Sequence, residues 1–148
     1  MSDYMPEVAK RILMTVLLCS FIGWERERRN KFAGLRTHIL VGVGSALIVL
    51  TSYYIFDIYK SQVVMDPTRI ISNIVTGVGF LCAGTIIRGG AQVIGLTTAA
   101  TLWISSGIGI AVGAGFYEGA TFVTAVVFLV LVGARSIEGK IHDENHKK

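Results

Sequence analysis

Hydrophobic residues fall into five long runs separated by short polar stretches. The runs occupy about residues 8–24, 38–56, 70–88, 96–114 and 119–135. They are continuous rather than alternating or one-sided, and each approaches the roughly 20 residues that cross a bilayer. The pattern predicts an all-α protein: a polytopic membrane helical bundle of about five transmembrane helices. We expect one transmembrane domain over residues 1–148, with a short, frayed polar tail at 136–148.

Composition supports this interpretation. Hydrophobic residues make up 52% of the 148 residues and charged residues only 16%, against about 25% charge in soluble domains. The net charge of +4 comes from cations that cluster at the ends of the apolar runs. Such clusters contact lipid headgroups and set topology, whereas a nucleic-acid-binding face would be continuous. We therefore expect a lipid bilayer, and no nucleic acid, as the partner.

The charged stretch Gly23–His38 orients the chain. It carries five Lys and Arg residues between the first two runs. If it shares one side of the bilayer with the 88–94 loop and the tail, that side has ten Lys and Arg and the other has four. Short loops rich in Lys and Arg stay in the cytoplasm. The count predicts a multi-pass protein with its N-terminus outside and its C-terminus in the cytoplasm.

An internal repeat links the two halves of the chain. Displacing the sequence by 61 residues superimposes Gly23 on Gly84, Gly34 on Gly95, Leu35 on Leu96 and Thr37 on Thr98. Each unit contains two predicted helices, so both units enter the bilayer in the same direction. This indicates a parallel repeat of helices 1–2 and 3–4. Asp66-Pro67, in the polar connection Asp57–Arg69, predicts a helix stop and restart, and Gly89-Gly90 predicts a turn.

Small residues recur at near-helical spacing in the third and fourth runs. Such faces let helix backbones approach closely in lipid, where van der Waals packing holds them together. We expect them to pack helices within the bundle or between two copies, most simply a homodimer; a bend or a pathway through the bundle is the alternative. The packing candidates are Gly77, Gly79, Gly84, Gly109 and Gly113.

Polar residues inside or beside the runs are further candidates. Thr97 and Thr98 can bond back to their own helix, which is the structural interpretation. Asn73 cannot, so it either bonds another helix or lines a wet cavity. Thr37 and Thr98 are predicted helix N-caps, each near a glycine.

The predicted cytoplasmic openings combine both charge signs. Arg36 and Arg88, beside two helix N-termini, favour an anion. Glu25 and Glu27 favour a cation, or pair with Arg28, Arg29 or Lys31 nearby in a salt-bridged collar that anchors topology, as does the neighbouring Arg26. We also expect Arg88 to hold Glu25 or Glu27 in a two-pronged contact.

Chemical motifs are absent from the sequence. It has no nucleophile–base pair, no metalloprotease HExxH and no phosphate-binding loop, and Cys19 and Cys82 lack metal-ligand spacing. Both cysteines are typical of small membrane-embedded hydrophobic residues. We therefore expect a protein that is not an enzyme, with no catalytic residue, no metal site and no cofactor.

Two long motifs resemble one protein family. GWERERRNKFAGLRTHILVGVGSAL and GVGFLCAGTIIRGG…VIGLTTAATLWISSGIGIAVGAG are similar to the MgtC/SapB family of bacterial inner-membrane proteins. That family is associated with growth under magnesium limitation and, in pathogens, with virulence. The resemblance, over about residues 8–135, implies five membrane helices and a cytoplasmic C-terminus. Its motif residues correspond to Glu25, Arg26, Glu27, Lys31, Gly34, Leu35, Arg36, Thr37, Asn73, Gly79, Phe80, Gly84, Arg88, Gly95, Leu96, Thr97, Thr98 and Trp103.

Two departures from the family pattern stand out. Many members have glycine where Cys82 stands, which makes Cys82 a candidate functional residue. Many members also continue into a soluble cytoplasmic domain after the fifth helix.

Three functions compete. We expect first a regulator that binds another membrane protein complex and adjusts ion or energy balance when magnesium is short. The second hypothesis is a transporter or channel for Mg²⁺ or another cation, although Mg²⁺ sites need carboxylates and none lies in the core of a predicted span. The third is a carrier or sensor of an anionic solute.

Overall fold

The computed structural model describes residues 4–59, 66–89 and 92–145. The described chain forms five α-helices and one short hairpin, which confirms the predicted all-α helical bundle. In chain order the elements are α1 (Tyr4–Arg28), α2 (Leu35–Tyr59), α3 (Pro67–Gly84), β1 (Ile87–Gly89), β2 (Gln92–Ile94), α4 (Leu96–Ala114) and α5 (Tyr117–Asn145).

Two of the helices are long and apolar enough to cross a membrane by themselves. These are α2, with mean hydropathy 2.0 in its most apolar window, and α4, with 1.4. The apolar parts of α3 and α5 are shorter, at Thr68–Gly84 and Tyr117–Gly133. In α1, the charged residues Glu7, Lys10 and Arg11 interrupt the apolar run near its start.

Contacts between the helices show that successive helices alternate in direction. The end of α1 lies beside the start of α4, where Arg26 reaches Thr98, and the start of α1 lies beside the end of α4, where Arg11 reaches Gly113. The two helices α2 and α4 run in the same direction. They begin at Leu35 and Leu96, which are the positions that the 61-residue repeat pairs.

The apolar core has two parts that share α4. One lies between α1, α4 and α5 and contains Leu18, Cys19, Ile22, Ile108, Val112 and Ala120. The other lies mainly between α2, α3 and α4 and contains Val49, Ile74, Val78, Cys82, Ala99, Leu102 and Ile110. Because α4 contributes to both, it is the central helix of the bundle.

The observed start of α3 agrees with the sequence prediction, whereas the starts of α2 and α4 differ from it. Asp66 caps α3 as its side chain accepts a hydrogen bond from the Thr68 backbone N–H at 2.9 Å. Hydrogen bonds from Thr68 also lower the pKa of the Asp66 carboxyl below its usual range. The prediction that Thr37 and Thr98 are N-caps is wrong, because α2 and α4 begin two residues earlier.

The ends of two elements also differ from the apolar runs. The third run was expected to continue to 88, but α3 ends at Gly84. Arg88 lies instead in β1, paired with Val93 of β2. Gly90, half of the predicted turn, lies outside the described residues. The last helix extends to Asn145, past the predicted end at 135, since a charged segment can continue a helix after its apolar run stops.

Candidate functional site

The backbones of α2 and α4 approach each other closely where these two helices cross. A Cβ added at Gly109 would overlap the Gly42 carbonyl oxygen, and one at Gly113 would lie 3.0 Å from the Ala46 carbonyl oxygen. Glycine is therefore required at Gly109 because the backbone of α2 occupies the space of a side chain. The predicted packing role of Gly109 and Gly113 corresponds to this crossing within one chain.

Buried hydroxyl groups line the same crossing. The Ser45 and Ser106 hydroxyls lie 2.8 Å apart. His38 is fully buried, and its Nε2 lies 3.0 Å from the Thr101 hydroxyl while its Nδ1 lies 2.8 Å from the Gly34 carbonyl oxygen. The polar face of α4 is therefore turned inward, where neighbouring helices supply hydrogen-bond partners in place of water.

An ionic cluster, here called the Glu25 centre, lies at the end of α1. It consists of Glu25, Arg26, Arg29 and Thr98. Glu25 and Arg26 are 3% and 5% exposed. Arg29 forms an ion pair with Oε1 of Glu25, and Arg26 Nη1 lies 3.7 Å from Oε2. Arg26 Nη2 also donates to the Thr98 hydroxyl at 3.4 Å.

The charges of the Glu25 centre do not balance. One carboxylate lies against two guanidinium groups, so the cluster carries a net positive charge. Both oxygens of Glu25 lie against guanidinium groups, whereas Nε of Arg26 has no hydrogen-bond partner among the described residues. Burial lowers the pKa of Arg26, and the charge of Glu25 opposes that change.

The loop after α1 fixes the position of the Glu25 centre. Glu27 Oε2 accepts the backbone N–H of Leu35 at 2.6 Å, which gives the first turn of α2 a cap from another helix. A Cβ on Gly23 would lie 2.8 Å from Leu35 Cα, so the ends of α1 and α2 touch through their backbones. The motif GWERERRNKFAGL therefore builds a rigid helix–helix corner.

A second ionic cluster lies at the opposite end of the bundle. Glu7 accepts hydrogen bonds from Arg11 Nε at 2.8 Å and from the Tyr117 hydroxyl at 2.7 Å, while Arg11 Nη1 donates to the Gly113 carbonyl oxygen at 2.7 Å. The bonds from Tyr117 and Arg11 lower the pKa of the Glu7 carboxyl. This outer cluster joins α1, α4 and α5, and Lys10 adds a second ion pair to Glu7, with its Nζ 3.8 Å from Glu7 Oε2.

Several candidates from the sequence lie away from the Glu25 centre. Arg36, Thr37, Thr97 and Arg88 are all exposed. The expected contact between Arg88 and Glu25 or Glu27 is absent from the described part of the chain, because Arg29 and Arg26 occupy Glu25 and a backbone N–H occupies Glu27. The hairpin carries Arg88 outward instead.

The candidates on α3 divide between core and surface. Cys82 is buried, and its thiol lies 3.2 Å from the Ala99 carbonyl oxygen, so it joins α3 to α4. Asn73 is exposed and lines a groove of about 620 Å³ between α2 and α3. Positions Gly77, Gly79 and Gly84 have no described atom within 4 Å of an added Cβ, so they do not pack helices together within this chain.

Some residues of the site did not stand out in the sequence. The pairing of Glu25 with Arg29, one of the alternatives from the sequence, is confirmed. Thr101 carried no signal of its own, and the sequence did not show that His38 would be fully buried. The sequence pattern that could have indicated the polar face of α4 is the spacing of Thr98, Thr101 and Ser105, which places all three on one side of the helix. That spacing does not show whether the face meets lipid or another helix.

Comparison with known proteins assigns the chain to a family. A sequence profile of the MgtC family matches residues 12–140, which include the Glu25 centre and the crossing of α2 with α4. The chain belongs to the MgtC family. Together with the two apolar helices, this membership indicates a membrane protein.

Three relatives illustrate the similarity. The "Putative magnesium transporter YhiD" of Escherichia coli K12 is 40% identical over 138 residues, covering 92% of this chain and 64% of the relative. Protein MgtC of Salmonella typhimurium LT2 is 40% identical over 131 residues, covering 88% and 54%. Protein SapB of Bacillus subtilis 168 is 40% identical over 131 residues, covering 86% and 56%. No solved structure matches the chain.

The shares of length show how far the similarity reaches. The chain spans between about half and two thirds of the length of these relatives.

Among the described residues, no group of three or more His, Cys, Asp or Glu side chains is placed to hold a metal ion.

Proposed function

We propose that this MgtC-family chain is a non-enzymatic inner-membrane protein of magnesium homeostasis that acts by binding and modulating other membrane proteins. Family membership and the name of the E. coli relative support the magnesium role. One structural observation favours regulation over ion movement, and it is the charge of the Glu25 centre.

Magnesium ions in proteins are held by one or two carboxylates together with retained waters. Glu25 is the one carboxylate that is buried among the described residues, and two guanidiniums already contact it. A cation approaching Glu25 would meet a net positive cluster and would have to displace both arginines. The Glu25 centre therefore acts as a structural brace between α1 and α4.

The test combines growth with transport. For growth, the chain is expressed in a bacterial strain whose own MgtC-family genes are deleted and which therefore grows poorly at low magnesium. For transport, the purified chain is placed in liposomes that contain a Mg²⁺-sensitive dye. We expect growth to be restored while the dye shows no Mg²⁺ entry above empty liposomes. Mg²⁺ entry that depends on the protein would overturn the regulatory role.

Transport of Mg²⁺ is the second candidate, because one relative is named as a magnesium transporter. Glu25→Gln and Glu7→Gln separate the two candidates. A transport path through Glu25 predicts that Glu25→Gln abolishes flux while Glu7→Gln, at the outer cluster, retains it. If the chain is a regulator, we expect no Mg²⁺ flux from the unmodified chain, from Glu25→Gln or from Glu7→Gln.

The proposed orientation places the Glu25 centre and the hairpin on the cytoplasmic side. Five helices of alternating direction put the N-terminus and the end of α5 at opposite ends of the bundle, which supports an outside N-terminus and a cytoplasmic C-terminus. A reporter protein fused after Lys148 should be active when that reporter works only in the cytoplasm. Activity of a reporter that works only outside would reverse the orientation.

We also propose that the groove between α2 and α3 receives a helix from a second copy of the chain. Gly44 and Gly77 open onto this groove, and an added Cβ at either position has no described atom within 4 Å. Small walls permit close helix approach, and the amide of Asn73 supplies a polar contact inside the groove. Cysteine crosslinking in native membranes should capture the dimer, and a monomer alone would contradict it.

Arg88 is the proposed contact to the regulated protein. It is exposed on the hairpin, where its planar guanidinium can hold a carboxylate in two-pronged fashion. We expect Arg88→Lys to impair growth at low magnesium without lowering protein abundance, whereas the control Arg69→Lys at the start of α3 leaves growth normal. Normal growth of Arg88→Lys would reduce Arg88 to a topology signal.

A further inference from the structure

A second groove, here called the lipid groove, lies between α1 and α5. Its volume is about 770 Å³, within the range of small-molecule sites. Leu17, Phe21 and Trp24 of α1 form one wall, and Ala125 and Phe128 of α5 form part of the other. The groove follows α1 from the middle of the bundle to the end at which the Glu25 centre lies.

The walls of the lipid groove present almost no polar group. Its hydroxyl-bearing residues are Ser20, Thr121 and Thr124, and each donates to a carbonyl oxygen of its own helix four residues earlier, at 2.6 to 2.8 Å. Those hydroxyls are therefore satisfied without a ligand. What remains exposed in the groove is hydrocarbon and aromatic surface, which suits an acyl chain.

The end of the lipid groove near the Glu25 centre carries uncompensated positive charge. The Arg28 guanidinium lies 5.4 Å from the centre of the Trp24 ring, above a residue that forms the groove wall. Leu35 also lines the groove, and the exposed Arg36 follows it. Within the described ranges, neither Arg28 nor Arg36 forms an ion pair with a carboxylate, in contrast to Arg26 and Arg29.

We propose that this groove binds one acyl chain of an anionic phospholipid whose headgroup contacts Arg28 and Arg36. The hydrocarbon walls take the chain, and the two arginines take the negative headgroup at the surface. Anionic lipids are concentrated in the cytoplasmic leaflet, so the site fits the orientation given under the proposed function. Lipid binding itself does not depend on whether the chain regulates or transports.

The experiment uses the full chain purified in a neutral detergent and native mass spectrometry with added phosphatidylglycerol or phosphatidylcholine. An arginine near a membrane surface strengthens the binding of an anionic lipid about fivefold. We expect one tightly bound phosphatidylglycerol per chain and weaker binding of phosphatidylcholine. Arg28→Gln should lower phosphatidylglycerol affinity about fivefold, while Arg69→Gln leaves it unchanged.

A second pair of variants tests the groove itself. Ala125→Phe fills the groove from α5 and should remove the bound lipid, while Ala9→Phe, at an exposed position outside the groove, should retain it. Thermal melting of each variant verifies that it is folded.

Four results would overturn the site. They are equal binding of the two lipids, retention of lipid by Ala125→Phe, equal losses in Ala125→Phe and Ala9→Phe, and displacement of the lipid by inorganic phosphate, which would indicate a free-anion site. If Ala125→Phe retains the lipid but loses the dimer, the groove is assigned to a second copy of the chain. These experiments measure lipid binding, whereas the proposed function is tested by growth at low magnesium, so failure of one can be distinguished from failure of the other.

Discussion

The helices α3 and α4 are both apolar and rich in glycine, yet they occupy different environments. α4 contacts α1, α2, α3 and α5, and its Gly109 and Gly113 pack against α2. α3 contacts α2 and α4 along one stripe that contains Ile74, Val78 and Cys82. Its glycines Gly77, Gly79 and Gly84 face open space in this chain.

The polar residues of the two helices differ in the same way. Thr98, Thr101, Ser105 and Ser106 of α4 are buried, whereas Ser72, Asn73 and Thr76 of α3 are exposed. Lipid tails are as apolar as leucine, so the hydrophobic effect does not drive helices together inside a bilayer. A small or polar residue therefore permits a helix contact, but the neighbouring helix decides whether the contact is made within the chain or is left for a partner.

The largest expected effect is at Gly109. Gly109→Leu should prevent folding, at a cost above about 3 kcal/mol, because the side chain would occupy the position of the Gly42 carbonyl group. Thermal melting in detergent and size-exclusion chromatography would show aggregated or absent protein. The control is Gly107→Leu on the same helix, where an added Cβ meets no described atom within 4 Å. Equal melting temperatures for the two variants would contradict the close crossing.

A smaller loss is expected at Gly113. Gly113→Ala places a methyl group 3.0 Å from the Ala46 carbonyl oxygen and 3.1 Å from Val49 Cβ, so α2 has to shift by a few tenths of an ångström. We expect about 1–2 kcal/mol of destabilisation. Gly79→Ala on α3 should be neutral or slightly stabilising, because alanine has the higher helix propensity. If thermal melting ranks the two variants in the opposite order, the contrast between α3 and α4 fails.

Hydroxyl groups provide a finer test. Ser106→Ala removes the contact with the Ser45 hydroxyl and should cost about 1 kcal/mol. The cost stays small because Ser45 also donates to the Val41 carbonyl oxygen at 2.9 Å. Thr76→Ala on exposed α3 should change stability by less than about 0.5 kcal/mol. Unfolding by denaturant in detergent measures both, and equal losses would mean that burial does not separate them.

The smallest effect on stability, but a clear effect on assembly, is expected at Gly77. Gly77→Leu meets no described atom within 4 Å of its Cβ, so the chain should keep its melting temperature within the error of the measurement. The leucine would nevertheless fill the groove between α2 and α3 and should abolish the crosslinked dimer. Gly133→Leu, at an open position on α5, is the control that should still crosslink. A Gly77→Leu variant that dimerises normally would remove the groove from the dimer interface.

Much of the fold could be predicted from local patterns. The number of helices followed from the five apolar runs, and the N-terminus of α3 followed from Asp66 and Pro67, because a carboxylate cap and a proline are both favourable at a helix start. The 61-residue repeat predicted that α2 and α4 begin at equivalent positions. The hairpin at Ile87–Ile94 was missed, because its residues read as the end of an apolar run and a three-residue strand has no period of its own.

The candidate site was predictable only in part. The charged corner after α1 was evident from the density of Glu and Arg, but the partners of Glu25 depended on helix geometry. Arg29 lies one helical turn from Glu25 and reaches it, whereas Arg88 is carried outward by a hairpin. The predicted contact between Arg88 and Glu25 failed because similarity of position in a repeat does not place two side chains within bonding distance.

The sequence by itself determined the number of helices, their alternating direction, and which positions permit close backbone approach, because these properties depend on hydrophobic runs, loop charge and side-chain size along one segment. Only the tertiary structure decided which glycines are occupied by a neighbour, which hydroxyls are buried, and which arginines pair with Glu25. The physical reason is that packing in lipid comes from the fit between two surfaces. A single helix carries only one of those surfaces.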